Sequence, residues 1–172
     1  PSENPREYVE WIENGSQVMV LGDSNLGFFA SLMNVDFNGE TMIDGVRAKN
    51  FTIATPPTSI PVLYSKSPNV KPIANYTIGD APASAFALYK DIGSGKLIYV
   101  NFEPILAIIN NAPVDVKWSL LSQIGLLVGE LLDASTSIYS DQNWKYEVVE
   151  GIKLNGLVKI NSPHPPFPLT NI

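Results

Sequence analysis

The sequence predicts an α/β domain, and three stretches carry that expectation. Gln17 to Leu21, QVMVL, is a nearly unbroken apolar run that follows a capped helix and stops at a Gly-Asp-Ser-Asn turn. Such a run suits a strand covered on both faces, as in a parallel sheet. Ala83 to Tyr89 and Lys96 to Phe102 are two further apolar runs joined by Asp91-Ile-Gly-Ser-Gly95, the pattern of a β-hairpin. Val114 to Leu132 repeats apolar residues at helical spacing, so one helix face is expected to pack on that sheet.

The elements follow in chain order. Asn4 is a good N-cap, Pro5 suits the first helical position and Glu7 takes the capping-box place. Tyr8, Trp11 and Ile12 give i, i+3, i+4 spacing, and Gly15 ends the helix. Leu26 to Met33 reads as a short helix after the turn. Residues 34–72 read as irregular, with short strands at best. Asn38-Gly39 and Asp44-Gly45 mark turns there, and Pro56, Pro57, Pro61, Pro68 and Pro72 argue against long regular structure. Ile73 to Ile78 reads as a strand. In the last helix Trp118, Leu121, Ile124, Leu127, Val128, Leu131 and Leu132 form the face expected to pack on the sheet. Ser135 to Gln142 reads as a polar linker, and Trp144 to Val149 and Ile152 to Ile160 as strands. The Pro-rich end, Ser162-Pro-His-Pro-Pro-Phe-Pro, reads as extended. The expected division is residues 1–134 as the α/β domain and 135–172 as a β-rich extension or the start of a further module.

Composition narrows the function classes. Of 172 residues only 16% are charged, with a net charge of −6, and the polar surface is supplied by 15 Asn and 15 Ser with Thr and Tyr. A negative field with no Lys/Arg cluster disfavours nucleic acid and anionic membranes as partners. The longest apolar run, Leu120 to Leu132, is too short to span a bilayer, so no membrane insertion is expected. The absence of cysteine removes disulfides, thiolate metal sites and a Cys nucleophile. Asp23, Asp36, Asp44, Asp80 and Asp91 lack calcium-loop spacing, and no metal or cofactor is expected. Gly93-Ser-Gly-Lys is too short for a phosphate loop and joins two strands. Three sequons, at Asn14, Asn50 and Asn75, together with the low charge, point to a glycosylated cell-surface protein, with an archaeal setting as the working expectation. Pro1 leads straight into a helix, so a processed or excised part of a larger protein is expected.

Two constellations could carry chemistry or binding. Gly22-Asp23-Ser24 after an apolar strand resembles the first block of the SGNH/GDSL esterase family. That resemblance implies Ser24 as nucleophile and His164, the only histidine, as its base. The family's Asp before the His is Asn161 here, and its Gly-x-Asn-Asp block is absent. Read from the residues alone, Ser24 is a helix N-cap with Asp23 serving the turn and the helix dipole. Asp23, Ser24, Asn25 and Glu103 all fall at strand ends, where open α/β sheets hold ligands, and form the candidate binding set. Trp11, Trp118 and Trp144 read as core or interface residues.

The run Tyr8 to Asp23, the stretch Lys71 to Tyr76, the strand Ala83 to Tyr89 and Gly93-Ser-Gly-Lys-Leu-Ile-Tyr-Val-Asn-Phe102 are together similar to class I glutamine-amidotransferase-like domains. The resemblance covers about residues 5–133. It implies a three-layer flavodoxin-like sheet and a closing helix at Val114 to Leu132. Active members use a Cys nucleophile and a later His-x-Glu. This chain lacks the Cys, and His164 lies outside the match, so the resemblance implies a non-catalytic member. It also implies that the N-terminal strands of such a domain are missing. The expected role is a structural or binding module of a larger surface protein, partnered by another segment of its precursor or a neighbouring subunit. The alternative is a serine esterase using Ser24 and His164.

Overall fold

In the computed structural model, residues 5–21 and 27–132 are described in full, and 136–139, 145–148 and 158–161 by their backbone. The chain is a mixed α/β structure. Helix α1 spans Pro5–Glu13 and leads into β1, Gln17–Leu21. Helix α2, Phe28–Leu32, precedes two long strands, β2 (Val35–Ala48) and β3 (Phe51–Ser65). Then come β4 (Lys71–Ile78), β5 (Ala81–Ile92) and β6 (Gly95–Val100). Helices α3 (Phe102–Asn111) and α4 (Val114–Leu131) follow, and then β7, Thr136–Tyr139. Strands β8 (Lys145–Val148) and β9 (Val158–Asn161) pair antiparallel in a separate two-stranded sheet.

The main sheet has the order β3-β2-β4-β5-β6-β1-β7. Strand β1 lies parallel between β6 and β7, with Leu21 opposite Val100 and Gln17 opposite Thr136. The other pairings are antiparallel. Side-chain alternation along β1 sorts the core into two clusters. Met19 and Leu21 pack with Phe102, Ile105 and Ile108 of α3 and with Leu120, Ile124 and Leu127 of α4. Val18 and Val20 pack with Tyr8 and Ile12 of α1 and with Phe29 and Ala30 of α2. The helices therefore cover opposite faces of the sheet. Burying Tyr8 and Ile12 contributes about 1.5–3 kcal/mol per side chain, and the ring of Tyr8 meets that of Phe29 edge-on, 6.4 Å between centroids.

The helix expected after Asn4, the strand ending at Leu21, and the elements expected at 26–33, 73–78, 83–89 and 114–132 have counterparts at 5–13, 17–21, 28–32, 71–78, 81–92 and 114–131. Four expectations are corrected. Residues 34–72 are not irregular, because most of them form the β2–β3 hairpin. Its prolines are tolerated because Pro56 and Pro57 fall in the unpaired stretch opposite Asp44, and Pro61 lies on the sheet's edge strand, which has a ladder on one side only. Asn38-Gly39 and Asp44-Gly45 sit at irregularities inside the hairpin instead of at turns. Between the pairs Phe37–Leu63 and Glu40–Pro61, two residues of β2 face one of β3, and Gly39 supplies the positive φ of +69°. Beyond Ile43–Thr58, Asp44 alone faces the three residues Thr55 to Pro57. The open end of the hairpin is held at Leu63, whose N–H donates to the Ser84 hydroxyl (2.9 Å).

Phe102 opens α3 and does not end β6. Pro104 stands in the helix's first turn, where its absent N–H is one of the orphan donors. The stretch 135–142 contains β7, which completes the parallel part of the sheet beside β1. The fourth correction concerns α4. Its buried face is Leu120, Ile124, Leu127 and Val128, whereas Trp118 turns outward and is 39% exposed.

Gly93-Ser-Gly95 is the tight link between β5 and β6 and also the seat of α1. The Ser94 N–H and hydroxyl both donate to the Glu13 carbonyl, at 3.2 and 2.9 Å, and the Lys96 N–H donates to the Ser16 carbonyl at 3.1 Å. Carbonyls left unpaired at the helix end are thus met by the hairpin. A side chain at Gly95 would fall on the carbonyl oxygens of Ile12 and Ser16, so the approach requires glycine.

Candidate functional site

The parallel strands β1 and β6 end side by side, and the two ends of the sheet differ in character. At their C-terminal end β1 leads into residues 22–25 and β6 into Asn101 and α3. Asp23, Ser24, Asn25 and His164 lie outside the described residues, so the turn and the proposed Ser–His pair have no described geometry. Glu103 is exposed in the first turn of α3, where an acid complements the helix dipole. It makes no ion pair among the described residues.

Beneath Glu103 lies a buried polar junction that motif reading misses. The Tyr76 hydroxyl donates to the Asn101 carbonyl (2.6 Å) and accepts from the Ile105 N–H (3.1 Å). The Asn101 amide donates to the Ala85 carbonyl (3.3 Å), and its N–H donates to the Phe86 carbonyl (2.7 Å). Tyr76 thereby links β4 to the loop before α3 and to the first turn of that helix. Burial pushes its phenol well above the ordinary range, and the bond from Ile105 opposes the shift without cancelling it. The Tyr76 hydroxyl, the Ile105 N–H and the Asn101 N–H, carbonyl and amide nitrogen all have partners within the protein, so the junction reads as structural. The available signal was Tyr76 within the sequence Asn75-Tyr-Thr, a polar-looking stretch inside a strand.

The sequons fall in different settings. Asn14 is exposed in the turn after α1, and Asn50 is exposed in the β2–β3 turn. Asn75 is half-buried within β4, and its partner Thr77 is buried.

From the start of β1 and β6, at Gln17 and Lys96, a groove of about 640 Å³ extends to the β4–β5 turn at Asp80 and Pro82. It is lined by Arg47 of β2 and by Lys49 and Asn50 of the β2–β3 turn. The floor includes Ile73 and Asn75 of β4 and Ile98 of β6. Gln17 of β1, Tyr89 of β5, Lys96 of β6, and Glu130 and Leu131 at the end of α4 also line the groove. The Lys96 ammonium stands 4.7 Å from the centre of the Tyr89 ring. Among the described residues no group of three His, Cys, Asp or Glu is placed to hold a metal ion, and no helix is long and apolar enough to cross a membrane.

The outer face of α4 is the third feature. Trp118, Ser122 and Leu126 follow at four-residue steps on the side away from Leu120, Ile124 and Leu127. Trp118 is 39% and Leu126 44% exposed, while the small residues Ser122 and Gly129 on this side are half-buried. The backbone of β9 lies close against α4.

No protein-family model matches the chain, and no curated protein matches it in sequence. Among solved structures, the β-galactosidase from Bacillus circulans sp. alkalophilus is similar over 60% of this chain, at 9% identity and a TM-score of 0.39. A GH42 β-galactosidase, Gan42B, is similar over 63% of it, at 9% identity and a TM-score of 0.39. The aligned parts are 19% and 20% of those chains, so the match spans about a fifth of their length. At this level of likeness the activity of those enzymes does not transfer to the present chain.

Proposed function

We propose that this chain is a non-enzymatic structural and binding module of a larger, cell-surface protein, and that the outer face of α4 holds another segment of the same precursor. The observation that carries the reading is the second apolar face of α4. A surface helix ordinarily turns charge outward. This one turns out Trp118 and Leu126 around the small Ser122 and Gly129, and the backbone of β9, from much later in the chain, runs close to the helix. A chain with few charged residues has few other means of keeping such a face soluble than covering it.

The flavodoxin-like, glutamine-amidotransferase-like assignment belongs to the same proposal. It is supported by the parallel set β6-β1-β7 and by helices on both faces. The antiparallel run β3-β2-β4-β5 is a departure from an all-parallel sheet. Glycosylation is proposed at Asn14 and Asn50, which sit in exposed turns, ahead of Asn75.

Leu126→Glu tests the binding role in the full chain. It is expected to free the segment containing β8 and β9, read as faster limited proteolysis between residues 140 and 162, while the sheet keeps its circular dichroism. Unchanged proteolysis refutes it. The rival esterase reading is favoured by one feature, the parallel pairing of β1 and β6 up to Leu21 and Val100, since Ser24 follows the C-terminal end of β1 in the sequence. A serine-reactive fluorophosphonate separates the two. The module takes no label, whereas stoichiometric labelling of Ser24, lost in Ser24→Ala together with ester hydrolysis, establishes the esterase.

A further inference from the structure

We propose that the groove at the starting ends of β1 and β6 binds a small organic anion, with an oxyanion head held by Arg47 and Lys49 and a compact apolar body on Ile73 and Ile98. The inference is independent of the α4 face and of Ser24. Its volume, about 640 Å³, lies in the range of small-molecule sites, and its lining mixes an apolar floor with a few polar groups, as such sites do.

Charge selects the ligand class. The protein carries a net charge of −6, yet three of its 11 basic residues converge on this groove. Arg47 and Lys49 form no ion pair among the described residues, and Lys96 stands over the Tyr89 ring without reaching a carboxylate. Two acids, Asp80 and Glu130, also border the groove, so its net charge is +1 (three basic less two acidic). A local positive centre in a negative molecule concentrates anions at that point. Arg47 supplies a fork that matches a carboxylate or a phosphate in two-point contact, and Lys49, two residues on at the turn, adds a mobile ammonium. The amides of Gln17 and Asn75 offer donors and acceptors to a polar substituent on the body.

The test uses the full chain, nitrogen-labelled, with three probes that share one body: phenylacetate, phenyl phosphate and the neutral phenylacetamide. At low salt, saturable amide shifts are expected for at least one anion, centred on residues 47–50, 73–77 and 96–98. The neutral amide is expected to bind at least about tenfold more weakly, the loss for one charge-assisted contact. The tighter anion identifies the head as carboxylate or phosphate. Arg47→Gln is expected to weaken that anion about tenfold. Lys117→Gln makes the same change of charge near the start of α4, about 20 Å along the helix from Glu130, and is expected to leave the affinity unchanged. The proposal fails if neither anion saturates by about 20 mM, far above the range of specific sites. It fails equally if the neutral amide binds as well as the anions, or if the two variants lose affinity alike.

Discussion

Tyr76 and Gly95 show how single residues fix this architecture. The Tyr76 hydroxyl is the meeting point of β4, the Asn101 loop and the first turn of α3. Tyr76→Phe leaves the Asn101 carbonyl and the Ile105 N–H short of a partner, and should lower stability by about 1–3 kcal/mol. The pH dependence has a defined sign. Burial raises the folded-state pKa above the ordinary 10.0, so the folded protein favours the neutral phenol. Its contribution is complete below pH 10 and is lost as the pH climbs from there towards the raised folded value. Thermal melts from pH 8 to pH 11 should therefore show an alkaline decline in the wild type that is smaller in Tyr76→Phe. Parallel declines would remove Tyr76 as the cause. Gly95→Ala should cost more than about 3 kcal/mol or prevent folding, because its Cβ meets two backbone carbonyls that close the end of α1. A denaturation midpoint within error of wild type would contradict that packing.

Among the elements, the β2–β3 hairpin marks the limit of local reading. The strand 17–21, the hairpin across Asp91 to Gly95 and the long helix from Val114 were legible, because each announces itself by its own periodicity or turn residues. Strand β3 did not, since Pro56, Pro57 and Pro61 are incompatible with a central strand and harmless on an edge, and edge position is a property of the whole sheet. Helix α3 was hidden because it starts two residues after β6 with Pro104 in its first turn. Strand β7 was hidden because Thr136-Ser-Ile-Tyr139 is short and polar and gains its meaning from β1. The edge prolines suggest protection against strand-to-strand association. Pro57→Val with Pro61→Val should change stability by less than about 1 kcal/mol while increasing self-association, followed by light scattering. A monodisperse double variant would show that the prolines have no such role.

At the scale of the molecule, the candidate functions separate in space. In the sequence, residues 22–25 follow β1 and Glu103 follows β6, the cationic groove includes the starts of those strands, and the apolar face of α4 looks away from the sheet. The groove was not legible in the sequence, since Arg47, Lys49, Lys96 and Gln17 are brought together by strand order alone. The two-sided character of α4 was half legible: its apolar spacing was plain, but Trp118 and Leu120 can be assigned to opposite faces only when the sheet is in place. Sequon occupancy follows the same logic. Peptide mapping of native material should find glycan at Asn14 and Asn50, and a glycan at Asn75 instead would contradict the proposed order. In the proposed module, α4 is covered from outside by another segment of the same precursor. Hydrogen exchange on the full chain tests it directly. Amides of 145–148 and 158–161 should be protected in the wild type and exchange at least about tenfold faster in Leu126→Glu, the consequence of losing about 1.4 kcal/mol of docking, with β1, β5 and β6 unaltered. Equal protection of those amides in the two proteins would contradict the claim.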